Sequence, residues 1–368
     1  MPARPSVSGL ALHNLRYAVR MYPNGTSTAT VAEVGERAMI ERIRARLPGT
    51  PPWVSVGIGD DAAVIEPARN RAEVVTTDSL VEGVHFDRRY VPPAAIGHKA
   101  LAANLSDLAA MGAEPRAAVL SLVLPGDFPV ADLDAILDGW LALAARYDVV
   151  LIGGNIARSP GPLVIDVTAF GSIKPRRVMR RGGARAGERV YVSGTVGTAY
   201  AGFLACRHRA SPGGERSVVP NGDLAACEAR FLTPEPRVRL GLLLARNRVA
   251  SSCMDLSDGL ADAVHQVAGA SGVGMTIDGG PLPIPDAARR WFVEHGSVDP
   301  IDAAVSGGED YELLFTVPPR RRRALAAVMK LAGDVPCTHI GMVTTGRDVL
   351  LRRDGGALPL PQGFAHFR

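Results

Sequence analysis

Short stretches rich in valine recur along the chain, and their pattern of apolar and polar positions predicts β-strands. VSVGIG, AEVVTTDS and AAVLSLVLP combine valines with alternating small or polar residues, which is typical of strands. LVIDVTAFGSI and RVYVSGTVG have the same character, and VVLIGGN is predicted to be a buried strand that ends in its glycines. These stretches predict that β-sheet forms a large part of the protein.

Amphipathic helices are predicted between the strands. In IGHKALAANLSDLAAMGAEP, three leucines (Leu101, Leu105 and Leu108) fall on one face at helical spacing. Asn104 and Asp107 lie together beside that stripe. A carboxylate in this position is directed sideways from the helix, so we expect Asp107 to face a cleft.

The second half of the chain mixes strands and helices in the same way. MDLSDGLADAVHQVAGASG predicts a strand, an acidic turn and a helix whose N-cap is Ser257 or Asp258. SGGEDYELLFTVP predicts a glycine turn followed by a strand. Further helices are predicted from Glu36 and over residues 132–147. The mixture predicts an α/β (α+β) enzyme-like fold rather than a repeat array.

The length of the chain predicts two domains after an N-terminal extension. A chain of 368 residues exceeds what one hydrophobic core usually serves. The first 33 residues are poorly patterned and are interpreted as a flexible extension. The Gly- and Arg-rich stretch KPRRVMRRGGARAGE is predicted to link a first domain, residues 34–174, to a second, residues 175–368.

Composition narrows the class of protein. Hydrophobic residues make up 47% and charged residues 21% of the chain, and no apolar run approaches the roughly 20 residues of a membrane span. A soluble protein without a membrane partner is therefore expected. The four cysteines form no C-x-x-C pair, which argues against a zinc site or a disulfide framework and favours reduced thiols in the cytoplasm.

The net charge of +4 comes from interspersed acids and bases, so no nucleic-acid partner is predicted. Two basic clusters stand out. KPRRVMRR either binds phosphate or forms a solvated surface, whereas RRRR at 320–323 is better interpreted as solvated surface at the start of a helix.

Acidic residues recur at the turns that end strands. In GIGDDAAV the two aspartates are adjacent, and the simplest interpretation is a turn held by an Asp side chain. The whole set is more informative: Asp60, Asp61, Asp78, Asp107, Asp255, Asp258, Glu309 and Asp310. Gathered carboxylates repel one another unless cations neutralise them, and oxygen ligands favour Mg²⁺, Mn²⁺ or Ca²⁺ over Zn²⁺.

Magnesium commonly binds a few carboxylates together with substrate phosphates, so these acids indicate a nucleotide-phosphate enzyme. The two familiar phosphate-binding motifs, G-x-x-x-x-G-K-[ST] and G-x-G-x-x-G between a strand and a helix, are absent. No Ser or Cys has an arranged His partner, so no nucleophilic catalytic residue is predicted. Positioning and metal ions are expected to carry the reaction.

Several motifs, in order along the chain, resemble the thiamine-monophosphate kinase family. They are GIGDDAAV, TTDSLVEGVHF, KALAANLSDLAAMGAEP, LIGGN, MDLSDGL, SGGEDYELLFTV and GFAHF. This family belongs to a superfamily with aminoimidazole ribonucleotide synthetase and selenophosphate synthetase. The resemblance implies a two-domain aminoimidazole ribonucleotide synthetase-like fold, with an N-terminal domain that forms a homodimer through its sheet.

The implied reaction moves the γ-phosphoryl group of ATP to thiamine monophosphate, with several Mg²⁺ ions. Carried over by motif, the implied metal ligands are Asp61, Thr76, Thr77, Asp78, Asp107, Asn155, Asp255 and Asp258. The implied ATP contacts are Gly154, Arg181 and Ser257. The implied substrate contacts are His85, Glu309 and Phe364, whose ring would pack on the thiamine. Asp60, beside Asp61, is expected to hold the turn.

One position departs from the family pattern. The family usually has GGD at the end of the LIGG strand, whereas this chain has Asn155. An amide oxygen still coordinates Mg²⁺ but brings no negative charge. Two alternatives therefore stand beside the kinase: a homologue that binds nucleotide or thiamine phosphate with weakened catalysis, and a superfamily synthetase with another substrate.

Overall fold

A computed structural model gives the fold of the chain and describes residues 29–211, 222–295, 299–333 and 335–363. The helices are Val31–Val34 (α1), Glu36–Arg44 (α2), Pro93–Met111 (α3), Val130–Arg146 (α4), Thr198–Ala210 (α5), Gly222–Leu232 (α6), Val238–Arg246 (α7), Leu260–Ser271 (α8), Asp286–His295 (α9), Pro300–Ser306 (α10) and Arg322–Ala332 (α11). None of the helices in these ranges combines the length and the apolarity that a membrane span requires.

The strands follow the predicted mixed pattern. They are Val54–Val56 (β1), Val64–Ile65 (β2), Ala72–Val81 (β3), Glu114–Pro125 (β4), Val150–Ser159 (β5), Val164–Ile173 (β6), Arg189–Ser193 (β7), Ser252–Asp255 (β8), Gly274–Asp278 (β9), Leu313–Val317 (β10), Cys337–Thr344 (β11), Val349–Arg353 (β12) and Gly356–Pro359 (β13). Strands β1 and β2 form a small antiparallel pair of their own.

The first half of the chain builds a four-stranded sheet with the order β3-β6-β4-β5. Strand β6 is antiparallel to both its neighbours, and β4 and β5 are parallel. Helix α3 packs on one face of this sheet and against α4. The small residues of α3 and α4 allow this close approach, because a Cβ added at Gly97 would lie 1.8 Å from the backbone oxygen of Ile136.

The second half builds a seven-stranded sheet with the order β13-β12-β9-β11-β7-β10-β8. Its pairs are antiparallel except β9 with β12. The residues of β8 and β10 are all buried, as expected of strands covered on both faces.

Helix α3 connects the two halves. It contacts strands β3 and β6 of the first sheet and also α7 and β8 of the second half. The three predicted leucines, Leu101, Leu105 and Leu108, are completely buried, and they belong to one apolar cluster with Leu244 and Phe315. Residues of α3 therefore lie at the junction where groups from both halves can meet.

The structure corrects three local expectations. Strand β5 does not end at its glycines but continues to Ser159, and its residues 153–158 are half-buried or exposed. The N-cap of α8 is Gly259, at φ 95°, with no side-chain cap, so the prediction of Ser257 or Asp258 as the N-cap was wrong. A glycine is suited to this backbone conformation because it has no Cβ.

Residues 29–33 are also held in place rather than loose. Thr30 and Glu33 form a capping box at α1, and the backbone N–H of Val31 donates to the oxygen of Phe128 at 2.9 Å. The first sheet ends at Ile173 and the second begins with β7 at Arg189. The division into domains at residue 174 stays a prediction.

Candidate active site

The alternation of β3 places Thr76 and Asp78 on the sheet face that α3 covers. Residues two apart on a strand point to the same face. The Thr76 hydroxyl donates to the carboxylate of Asp107. Asp107 is half-buried on α3, whereas Asn104, one turn earlier, is completely buried. The predicted sideways direction of Asp107 therefore leads to β3.

The second half contributes Asp255 at the end of β8. Its side chain is 3% exposed, and Ser106 Oγ on α3 donates to Asp255 Oδ2 at 2.8 Å. Because Ser106 and Asp107 are adjacent, α3 contacts both strands at this point. We call Asp78, Asp107 and Asp255 the carboxylate cluster, since three elements bring them within electrostatic reach of one another.

The electrostatics of the carboxylate cluster are unfavourable without cations. Burial, together with the charges of Asp107, Asp166 and Asp258, raises the pKa of Asp78 to about 6. Burial and then the charge of Asp107 raise the pKa of Asp255 to about 8. Burial also raises the pKa of Asp107, against the hydrogen bond from Thr76 and the charge of Arg181. A bound cation would relieve this repulsion.

Oxygen donors in this arrangement fit magnesium. In the ranges that the structure describes, no three acidic, histidine or cysteine side chains lie close enough to enclose an ion by themselves. Magnesium usually completes its shell with waters and substrate phosphates around a few carboxylates. The residues of the carboxylate cluster therefore fit a magnesium ion that is shared with a phosphate ligand.

Two predicted metal ligands lie elsewhere. Asp61 is exposed in the turn between β1 and β2. Asp60 accepts a hydrogen bond from the backbone N–H of Asp61 at 2.9 Å, which is the turn-holding contact expected of it. Thr77 is on the exposed sheet face, where its hydroxyl donates to the backbone oxygen of Val167 at 3.2 Å.

Gly154 and Asn155 lie on the far edge of the same sheet. Strands β3 and β5 are the two edge strands, so about 14 Å separates them across three strand spacings. Asn155 is exposed. A Cβ at Gly154 would lie 2.0 Å from the backbone oxygen of Leu120, so the packing of β4 against β5 itself requires glycine there. Within one chain, the structure does not bring Asn155 to the carboxylate cluster.

The predicted ATP contacts near the cluster are an arginine and a serine. Arg181 is exposed, donates to the side-chain oxygen of Gln266, and its charge lowers the pKa of Asp107 and Asp255. Ser257 is half-buried, and its backbone oxygen accepts a hydrogen bond from the N–H of Glu309 at 2.7 Å. Asp258 follows in the same turn, close enough to raise the pKa of Asp78.

The predicted substrate contacts are partly brought together. His85 is half-buried, and its Nδ1 accepts a hydrogen bond from the backbone N–H of Val81 at 3.1 Å. In the neutral ring this places the proton on Nε2. The carboxylate of Glu309 forms an ion pair with Lys99, whose Nζ lies 3.4 Å from the backbone oxygen of His85. Phe364 lies outside the described residues.

A second group of acids lies in and next to the turn before β10, and the acids predicted from the sequence include Glu309 and Asp310 of this group but not Glu312. Asp310 accepts hydrogen bonds from the backbone N–H groups of Gly197, at 2.6 Å, and Ala199, at 3.0 Å, at the start of α5. Burial raises the pKa of Asp310 to about 7, and these hydrogen bonds oppose that rise.

Glu312, two residues further on, is completely buried. It accepts hydrogen bonds from Arg230, at 2.7 Å, from Arg237 and from Ser193. The available signal was the run EDYE before an apolar strand, since consecutive acids beside a buried strand require partners.

Two regions of the chain match models of one domain family. Residues 59–173 match "AIR synthase related protein, N-terminal domain", and residues 185–352 match the corresponding C-terminal domain. The thiamine-monophosphate kinase of Synechococcus elongatus is 37% identical over 93% of this chain and 99% of its own length. The chain belongs to the thiamine-monophosphate kinase family.

Solved structures of this family share the fold. The crystal structure of thiamine-monophosphate kinase from Stenotrophomonas maltophilia K279a has a TM-score of 0.74 and 39% identity, over 87% of this chain and 96% of that chain. A structure described as "AaThiL complexed with AMPPCP and TMP" has a TM-score of 0.70 and 32% identity, over 93% of this chain and all of that chain. The predicted family and two-domain fold are thereby confirmed, whereas the roles of individual site residues stay predictions.

Proposed function

We propose that this member of the thiamine-monophosphate kinase family transfers the γ-phosphoryl group of ATP directly to the phosphate of thiamine monophosphate, giving thiamine diphosphate. Family membership supports the activity, and the relative solved with AMPPCP and TMP is named for an ATP analogue and this acceptor. The observation that supports the magnesium-assisted mechanism is the carboxylate cluster, because α3 brings Asp107 against Thr76 of β3 and Ser106 against Asp255 of β8 where the two halves meet. Burial raises the pKa of Asp78, Asp107 and Asp255, and the charge of Asp107 adds to the rise at Asp78 and Asp255.

The reaction brings two anionic phosphates together. Magnesium bound between the carboxylate cluster and the phosphates would supply the positive charge that this approach needs. Asp78 and Asp107 would hold the cation from the first half and Asp255 from the second, with Asp258 beside them. Thr76 and Ser106 orient two of these carboxylates through their hydroxyl groups.

No residue needs to act as a general base. A phosphate monoester has its second pKa near 6, so the acceptor oxygen is already largely deprotonated at neutral pH. Arg181 lies on the same side as Asp107 and Asp255, as its effect on their pKa values indicates, and an arginine there suits a phosphate oxygen. The residues of the chain therefore position and neutralise the reactants.

The activity is tested by incubating the chain with ATP, Mg²⁺ and thiamine monophosphate, with free thiamine as a parallel acceptor. Thiamine diphosphate is expected from the monophosphate alone. Direct transfer also predicts inversion at a chirally labelled γ-phosphorus, whereas net retention would indicate a phosphoenzyme. Formation of no product at any magnesium concentration would contradict the kinase.

Asn155 supports a second candidate, a homologue that binds nucleotide or thiamine phosphate without turnover. An amide at this position removes one negative charge relative to the carboxylate usual in the family. Replacing Asn155→Asp distinguishes the two functions. If the chain is a kinase, both forms should turn over, and the variant should reach half-maximal turnover at a lower magnesium concentration. If it is a binding protein, only the variant should turn over.

We also propose that two copies associate through the open face of the first sheet. Val75 is 57% exposed on this face, next to the half-buried Phe170 opposite it on β6. Light scattering should give twice the chain mass, and Val75→Asp should shift the protein towards the single chain.

A further inference from the structure

Lys99 is a buried cation at the junction of the two halves. Its side chain is 1% exposed in the middle of α3, among alanines and leucines. The ammonium group donates to the carboxylate of Glu309 and lies 4.5 Å from the centre of the Phe231 ring. A buried charge is tolerated when it has such partners, so the surroundings of Lys99 are suited to a charged lysine side chain.

The partners of Lys99 come from both halves of the chain. His85, whose backbone oxygen lies 3.4 Å from Lys99 Nζ, follows β3 of the first half. Glu309 precedes β10 of the second half. The family resemblance assigns both to the substrate, whereas nothing in it assigns Lys99. Lys99 therefore bridges the two predicted substrate contacts.

The backbone around Glu309 is strained and needs support. Glu309 has φ 70° and Tyr311 has φ 48°, a region that L-residues other than glycine seldom adopt. Such conformations persist when the surrounding structure holds them. Asp310 and Glu312 fix this turn to elements of the second half. Lys99 fixes Glu309 to the first half.

We infer that Lys99 is a positioning residue for the phosphate acceptor, because it holds the Glu309 carboxylate and the His85 backbone in the geometry that receives the thiamine moiety. This inference rests on the proposed function. A carboxylate fixed in position suits the cationic thiazolium and the amino group of thiamine. Lys99 acts through Glu309 and His85 rather than on the transferred phosphoryl group.

The test is a pair of binding measurements on Lys99→Met by isothermal titration calorimetry. Thiamine monophosphate and AMPPCP are titrated separately into the wild-type chain and the variant. The dissociation constant for thiamine monophosphate should rise by about tenfold or more, as expected for the loss of one charge-assisted contact. The constant for AMPPCP should stay within about twofold, because the side chain of Lys99 contacts Glu309 and His85, which are predicted substrate contacts and not predicted ATP contacts.

A matched control is Lys330→Met, which makes the same chemical change at an exposed position on α11. It should bind both ligands as the wild type does. A double-mutant cycle with Glu309→Gln adds a readout that a purely structural role would not move. If Lys99 acts through Glu309, the double variant should bind thiamine monophosphate no more weakly than the weaker single variant.

Each outcome decides between distinct conclusions. Unchanged affinity for thiamine monophosphate in Lys99→Met, with normal wild-type turnover, would overturn this inference alone. Equal losses for both ligands, or additive losses in the cycle, would assign Lys99 a structural role. A wild-type chain that binds no thiamine monophosphate would overturn the proposed function and this inference together. If Lys99→Met does not fold, Lys99→Arg carries the same comparison, because it keeps the charge but moves the donor atoms.

Discussion

Two groups of acids lie near the junction of the halves, and they differ in what neutralises them. Asp78, Asp107 and Asp255 face one another, and in the described ranges none of the three forms an ion pair with a lysine, arginine or histidine. In the turn before β10, Glu309 is paired with Lys99, and Glu312 with two arginines.

The contrast separates acids without a cationic partner in the described part of the chain from acids that a lysine or arginine of the chain holds in place. Residue type is the same in both groups, so the neighbours alone set the role. Burial raises the pKa of all three acids of the first group, and neighbouring carboxylates add to the rise at Asp78 and Asp255. Raised pKa values of this kind are typical of functional sites. Partners within the chain neutralise the second group, whose acids fix a strained turn beside the site.

The largest effect is expected from Asp255→Asn on turnover. Loss of one carboxylate from the cluster removes a predicted magnesium ligand and should lower thiamine diphosphate formation by about 10³-fold, the size of a transition-state electrostatic contact. Product formation is measured by chromatography at saturating ATP and thiamine monophosphate. Asp348→Asn, at an exposed position, is the control. Near-normal turnover in Asp255→Asn would remove the cluster from the mechanism.

The next effect is on the free energy of unfolding. A variant in the turn before β10 should lower it, whereas a variant in the carboxylate cluster should not. Glu312→Gln leaves Arg230 and Arg237 without a buried counter-charge, which should lower the free energy of unfolding by roughly 3–5 kcal/mol. Asp255→Asn should not destabilise the protein, because a carboxyl with its pKa raised to about 8 is already largely uncharged at neutral pH without magnesium. Urea unfolding of both variants without magnesium measures this. Equal destabilisation by both would erase the distinction.

A smaller effect concerns the pH dependence of stability at Asp310. Its pKa rises from 3.8 in the unfolded chain to about 7 in the folded protein, so the folded state binds the proton more tightly. The contribution of Asp310 to the free energy of unfolding is complete below about pH 4 and is lost as pH rises to about 7. The loss is at most about 1.4 kcal/mol per pH unit. Asp310→Asn should show a flatter profile than the wild type. Identical slopes from pH 4 to 7 would mean that Asp310 titrates normally.

The smallest effect is stabilisation by magnesium alone. An ion that binds the folded chain at 100 times its dissociation constant adds about 2.7 kcal/mol. The melting temperature of the wild type should therefore rise with added Mg²⁺, and that of Asp348→Asn should rise equally. Asp255→Asn should respond less. An equal rise in all three proteins would indicate that magnesium binds outside the carboxylate cluster.

The sequence by itself determined much of the fold and the family. Valine-rich alternation predicted most long strands, the leucine spacing predicted α3, and the ordered motifs indicated the family, because these signals are local in the chain. The position of Asp107 beside the leucine stripe predicted its sideways direction, and the structure shows its carboxylate accepting a hydrogen bond from Thr76 on β3.

Tertiary structure decided which acids meet and what surrounds them. Asp255 joins Asp107 through α3, although 147 positions separate them in the chain. Packing of α3 on the sheet decided that Thr76 rather than Thr77 faces the carboxylate cluster, and the strand order placed Asn155 on the far edge of the sheet. A role for Lys99, a lone lysine in an apolar helix, could be inferred only from its ion pair with Glu309. Burial and long-range contacts set the charge and the pKa of these side chains, and local sequence reveals neither the burial nor the contacts.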